Sequence, residues 1–102
     1  MSRFQLRPAA LADIENHFTY LQVDSPAAAE RFVVRCQETF AWLARHPNIG
    51  HRWRRGPGKV IEIRTWRVDG FPNHLVIYRP LTSGILVTRV LSGVRDLDKL
   101  IR

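Results

Sequence analysis

The chain has 102 residues, 45% apolar and 25% charged, which fits one small globular domain over residues 1–102 with a single core and excludes a disordered tail. No apolar run approaches the ~20 residues of a membrane-spanning helix, the first residues hold no signal-peptide core, and a lone cysteine, Cys36, excludes an internal disulfide and a thiolate zinc site, so a cytoplasmic protein without membrane contact is expected. The net charge of +7 is one-sided: residues 1–50 balance five arginines against five carboxylates, whereas residues 51–102 set nine arginines and two lysines against four, a field that favours an acidic partner, nucleic acid or protein.

Arg3-Phe4-Gln5-Leu6-Arg7 alternates polar and apolar residues and predicts a short strand with Phe4 and Leu6 inward. Pro8 suits the first turn of a helix, where its missing N–H is no loss. Leu11, Ile14, Phe18 and Leu21 then recur at helical spacing, with Asp13, Asn16 and Tyr20 on the opposite side. Ser25-Pro26 restarts the pattern, serine as N-cap and proline at the first helical position. The second helix carries Ala29, Phe32, Val33, Cys36, Phe40, Leu43 and Ala44 on one arc and ends at Pro47, Asn48 and Gly50. Val34 and Trp42 fall on its outer arc, either as ordinary surface side chains or as part of a docking surface.

Residues 47–59 read as a loop by every breaker rule. Within it, His51-Arg52-Trp53-Arg54-Arg55 mixes cations with an indole, which suits either a grip on phosphate and base or a solvated loop with Trp53 folded over the sheet edge. Lys59 to Val68 is a strand, and Asp69-Gly70-Phe71-Pro72 turns the chain. Asn73–Pro80 and Ile85–Leu91, both rich in β-branched and aromatic residues and separated by Leu81-Thr82-Ser83-Gly84, form a β-hairpin. Period-two counting places Arg79 beside Ile77 and Arg89 beside Val87. An arginine on such a face is paired, snorkels to the edge or lines a site. Ser92-Gly93 ends the sheet, and Leu97, Leu100 and Ile101 mark a short terminal helix. The expected architecture is α+β, in the order β-α-α-β-β-β-α: an N-terminal strand, an antiparallel helical hairpin packed on a mostly antiparallel sheet, and a short C-terminal helix.

The residues offer little to a catalyst. His17, His46, His51 and His74 lack metal-ligand spacing. Cys36 lies on the buried arc, where a structural thiol is expected. Gly56-Pro57-Gly58 lacks the lysine-serine ending of a phosphate loop. No cofactor or metal is expected.

Several strings in order resemble the ParE/RelE superfamily of toxins from bacterial type II toxin–antitoxin pairs. They are Arg7-Pro8-Ala9-Ala10-Leu11-Ala12-Asp13-Ile14, Ala29-Glu30-Arg31-Phe32, Phe40 to Gly50, His74-Leu75-Val76-Ile77-Tyr78-Arg79-Pro80, and Arg89-Val90-Leu91-Ser92-Gly93-Val94-Arg95-Asp96-Leu97. The last resembles the tail of the ParE branch, with Ser92 where that branch usually has histidine; Arg7 stands where a capping serine or threonine is common. The resemblance implies a non-catalytic toxin that poisons DNA gyrase and is neutralised in a hetero-oligomer by a ParD-like antitoxin bearing an acidic amphipathic segment. It places target contacts at Arg79, Arg89, Arg95 and Leu97, and antitoxin contacts at Tyr20, Val34, Trp42, Arg52, Trp53 and Arg64.

The RelE branch implies instead a ribosome-dependent mRNA endonuclease, with Lys59, Arg64, Arg79 and Arg89 as its candidate groups. Such cleavage needs a base for the 2′-OH, cations for the phosphorane and an acid for the leaving oxygen. Arginine stays protonated and is a poor base, and no tyrosine or histidine follows Tyr78. An inactive antitoxin-binding module is the third alternative.

Overall fold

The computed structural model describes residues 3–53 and 62–93. Seven elements follow in order: β1 (Arg3–Leu6), α1 (Pro8–Asp24), α2 (Pro26–Arg45), β2 (His51–Trp53), β3 (Ile63–Val68), β4 (Phe71–Leu81) and β5 (Gly84–Ser92). The strands make one five-stranded sheet in the order β1-β5-β4-β3-β2. Its pairs are antiparallel except β1 with β5, which is parallel, so the sheet is mixed. The α+β class holds. The order differs from expectation by one additional strand, and the predicted terminal helix lies outside the described residues.

That strand is β2. The loop rules assign His51–Trp53 to irregular chain, yet these residues pair with Thr65, Arg64 and Ile63 of β3. Three residues are too short a run for period-two alternation to register.

Pro8 opens α1 after an extended Arg7, whose side chain makes no cap bond. Ser25 alone links the helices: its Oγ accepts from the N–H of Ala28 at 3.1 Å, a cap worth about 1 kcal/mol. The buried arc of α2 is as expected, with Ala29, Phe32, Cys36, Phe40, Leu43 and Ala44 all enclosed. The arc of α1 is rotated from the expected one. Ala10 and Asp13 are buried and Leu11 is 47% exposed, so the inner face runs Ala10, Asp13, Ile14, His17 and Leu21. Asp13 therefore sits inside rather than on the polar side.

The main core joins α2 and α1 to one sheet face through Phe32, Phe40, Leu43, Val76, Tyr78, Ile85, Val87 and Val90, with Phe4 and Leu6 packed against it. A second cluster gathers Ile77, Leu91, Trp53, Ile63 and Leu75. A register shift divides the β4–β5 ladder: Ile77 faces Arg89 and Tyr78 faces Val87, leaving Thr88 unmatched. Val87 and Val90 consequently share the main core although three residues apart, and Arg89 is not beside Val87 as simple alternation predicts. At the start of β5, Gly84 has φ +149°, and a Cβ there would run into the carbonyl oxygen of Arg3. The close parallel approach of β1 requires glycine at this position.

Candidate functional site

A groove of about 940 Å3 lies between α2 and β3. Arg35, Glu38, Thr39, Trp42 and Arg45 form one stripe along α2, because residues three and four apart share a helix face. His51, Thr65, Trp66, Arg67, Val68, Asp69 and Leu75 line the opposite wall. Trp42 and Trp66 pack ring on ring with centroids 5.4 Å apart, and His46 lies 4.9 Å from Trp42. Trp42 is thus half-buried against the core and forms part of the groove, not an outer-arc residue.

At one end of the groove Arg35 reaches Asp69 at 3.4 Å and Glu38 at 3.5 Å, and the Thr39 hydroxyl accepts from the Asp69 N–H at 3.1 Å. Such exposed pairs contribute little, ~0–1 kcal/mol. At the other end Arg45 and Arg67 are exposed and make no ion pair among the described residues. The groove carries cations ready for an acidic partner and an aromatic wall for apolar side chains.

Two other arginines are engaged by the chain itself. The Arg64 guanidinium donates to the carbonyls of Asn48 (2.8 Å) and Gly50 (2.9 Å) and to the Glu62 carboxylate. The Tyr78 hydroxyl accepts from Gly50 N–H and donates to Pro47 C=O, both at 2.9 Å, so two side chains clamp the turn that launches β2. A Cβ at Gly50 would strike that hydroxyl. Burial pushes the Tyr78 phenol up from its ordinary value. Arg89 donates twice to Asp13 (2.7 and 2.9 Å), while Asp13 also accepts the backbone N–H of Val90.

Two of the four histidines, His17 and His74, are taken up by the fold. His17 Nε2 donates to the carbonyl of Val90 at 2.7 Å. His74 stacks among His17, Phe32 and Phe71, and its Nδ1 is buried without a partner among the described residues. Burial first, and then the charge of neighbouring His17, push His74 down to about 4. Burial pushes the Cys36 thiol up to about 12, which leaves almost no thiolate near neutral pH. No group of three or more potential metal ligands occurs among the described residues.

A family model for the ParE toxin of the type II toxin–antitoxin system parDE matches residues 4–97, nearly the whole chain. The chain belongs to the ParE toxin family. A structure described as the chromosomal ParDE toxin–antitoxin system from P. aeruginosa aligns with TM-score 0.68 over 91% of this chain and 97% of that one. At 20% identity this likeness speaks for the ParE fold. A search of curated proteins finds no match. No helix among the described residues is long and apolar enough to cross a membrane.

Set on the ParE fold, the expected site residues scatter. Arg79 is exposed on β4, and the Arg89 side chain is about a third exposed. Arg95, Leu97 and Lys59 lie outside the described residues. Tyr20 (76% exposed) and Val34 (53%) stand on the helical surface. Arg52 is 3.9 Å from Glu62, Trp53 packs with the second cluster, and only Trp42 reaches the groove. Sequence reasoning missed Arg35, Arg45, Trp66 and Arg67. The helical spacing of Arg35, Trp42 and Arg45 is the available signal for one wall; the other depends on where β2 begins.

Proposed function

We propose that this ParE-family chain poisons DNA gyrase without catalysis of its own and is neutralised by a ParD-like antitoxin whose acidic segment docks in the α2–β3 groove. The observation that carries the reading is the engagement of Arg64 and Arg89. A nuclease would need both near the phosphate, yet each guanidinium serves acceptors of its own chain. His17 donates to the Val90 carbonyl and His74 Nδ1 is buried, so neither presents a solvent-facing base; of the two candidate bases His51 and His74, His51 is exposed and lines the groove.

In this reading Arg79 meets gyrase directly. Arg89 contributes its exposed third while Asp13 holds it in place, and Arg95 and Leu97 are the remaining proposed target contacts. The groove is left to the antitoxin: Trp42 takes an apolar side chain, and Arg45 and Arg67 take carboxylates. Tyr20, Val34, Arg52 and Trp53 are further antitoxin contacts; Arg64 is withdrawn from that set because its donors are already engaged.

The test is expression in growing cells with DNA and transcripts followed together. Double-strand breaks with intact messages are expected. Cut messages on unbroken DNA would overturn the reading in favour of ribosomal mRNA cleavage.

A further inference from the structure

Strand β1 lies at one edge of the sheet, and its side chains alternate between the two faces. Phe4 and Leu6 pack against the main core. Arg3 and Gln5 therefore point to the face opposite the helices, and both are exposed. Arg7 continues the series, because its backbone is still extended (φ −70°, ψ 153°) and its N–H donates to the carbonyl of Val87. The register brings Arg79 onto the same face: it pairs with Leu86, and Leu86 pairs with Gln5.

This face is short of acid. Among the described residues Asp13, Glu15, Asp24, Glu30 and Glu38 lie on the helices, Glu62 precedes β3 and Asp69 sits in the turn before β4. Strands β1, β4 and β5 hold no carboxylate. Arg3, Arg7 and Arg79 are all exposed, and none makes an ion pair among the described residues. Arg7 stands at the N-cap of α1, yet its side chain makes no cap bond.

We propose that the outer face of β1, with Arg3, Gln5 and Arg7, binds the phosphate backbone of the duplex DNA that gyrase holds, beside the contact Arg79 makes with the enzyme. The inference rests on the gyrase reading above and adds the DNA as a second surface of contact. A gyrase poison acts on the complex in which DNA is cut, so the face that Arg79 turns to the enzyme lies near a duplex.

Period-two spacing along an extended strand sets Arg3 and Arg7 ~13 Å apart, with Gln5 halfway between them. The grooves of DNA are ~6 and ~12 Å wide, so the two arginines reach phosphates on opposite rims of a groove. A guanidinium forks onto two phosphate oxygens and keeps its charge. Such contacts fix position and read no sequence. An acidic protein surface fits less well: the outward side chains of β1 are all polar and offer no apolar anchor of the kind that holds protein interfaces together.

The test measures binding of the purified chain to gyrase, alone and bound to a linear duplex carrying a cleavage site, with variants first matched to the unsubstituted chain by thermal melt. Arg3→Gln combined with Arg7→Gln should bind the gyrase–DNA complex at least tenfold more weakly, and gyrase without DNA within twofold of the unsubstituted chain. Arg3→Lys with Arg7→Lys keeps both charges and should stay within threefold on the DNA complex. The log–log salt dependence on that complex should become shallower by about 2 in the glutamine variant, roughly 0.9 for each phosphate contact removed. Equal weakening with and without DNA overturns the proposal in favour of an acidic protein surface, and unchanged binding to both overturns it outright; in either case the gyrase reading stands. An unsubstituted chain that binds neither form overturns both.

Discussion

The α1–β5 junction and the α2–β3 groove each set arginine against carboxylate, but in different surroundings. At the junction Asp13 is nearly enclosed and accepts three bonds of 2.7 to 2.9 Å, two from Arg89 and one from the Val90 backbone. In the groove Arg35 meets Asp69 and Glu38 at 3.4 to 3.5 Å, with all three side chains well exposed. Water screens the second arrangement and is excluded from most of the first. The junction ties a helix to a strand; the groove pairs exchange easily with a partner's charges. Arginine count alone hides this division, because identical side chains serve the fold in one place and remain available in the other.

The comparison breaks most visibly at Asp13. Asp13→Ala removes the nearly enclosed carboxylate that accepts from the Arg89 guanidinium and the Val90 N–H and should cost about 3 kcal/mol in urea unfolding. A cost below ~1 kcal/mol would put the junction in the same class as the groove.

The next largest effect comes from pH at the neighbouring His74. Its folded value of about 4 lies below the ordinary 6.5, so between these values the unfolded chain binds a proton that the folded chain refuses. This contribution to stability is intact above pH 6.5 and falls away as the pH drops towards 4, by about 3 kcal/mol in total. His74→Phe should flatten the stability profile across that window; an unchanged slope would assign it to carboxylates instead.

Tyr78→Phe sharpens the contrast within the main core, at the turn that launches β2. It strips partners from Pro47 C=O and Gly50 N–H and should cost about 2 kcal/mol, read from the thermal melt. Smallest of all, Arg45→Glu and Arg67→Glu should alter stability by less than ~0.5 kcal/mol each, since neither side chain has an ion partner among the described residues. A larger loss would make the groove structural.

The legible parts of this fold are those that repeat. The α2 arc, the Ser25 cap and the β4–β5 hairpin each follow from spacing or from residue type at a turn. What escaped depends on a single residue or on distant chain. Ala10 is too small to weigh in a hydrophobic count, so apolar spacing anchors the α1 arc on Leu11 and rotates it away from Asp13. The unmatched Thr88 resets alternation within β5, which no local pattern announces. The groove joins a helix stripe to a strand flank that is open only because β2 begins at His51, and that boundary belongs to the tertiary structure.

The most direct measurement is a gyrase reaction on plasmid DNA with the purified chain. Lost supercoiling together with linear plasmid released by protease is the predicted result. Intact supercoiling and no linear product at high excess of the chain would contradict the account.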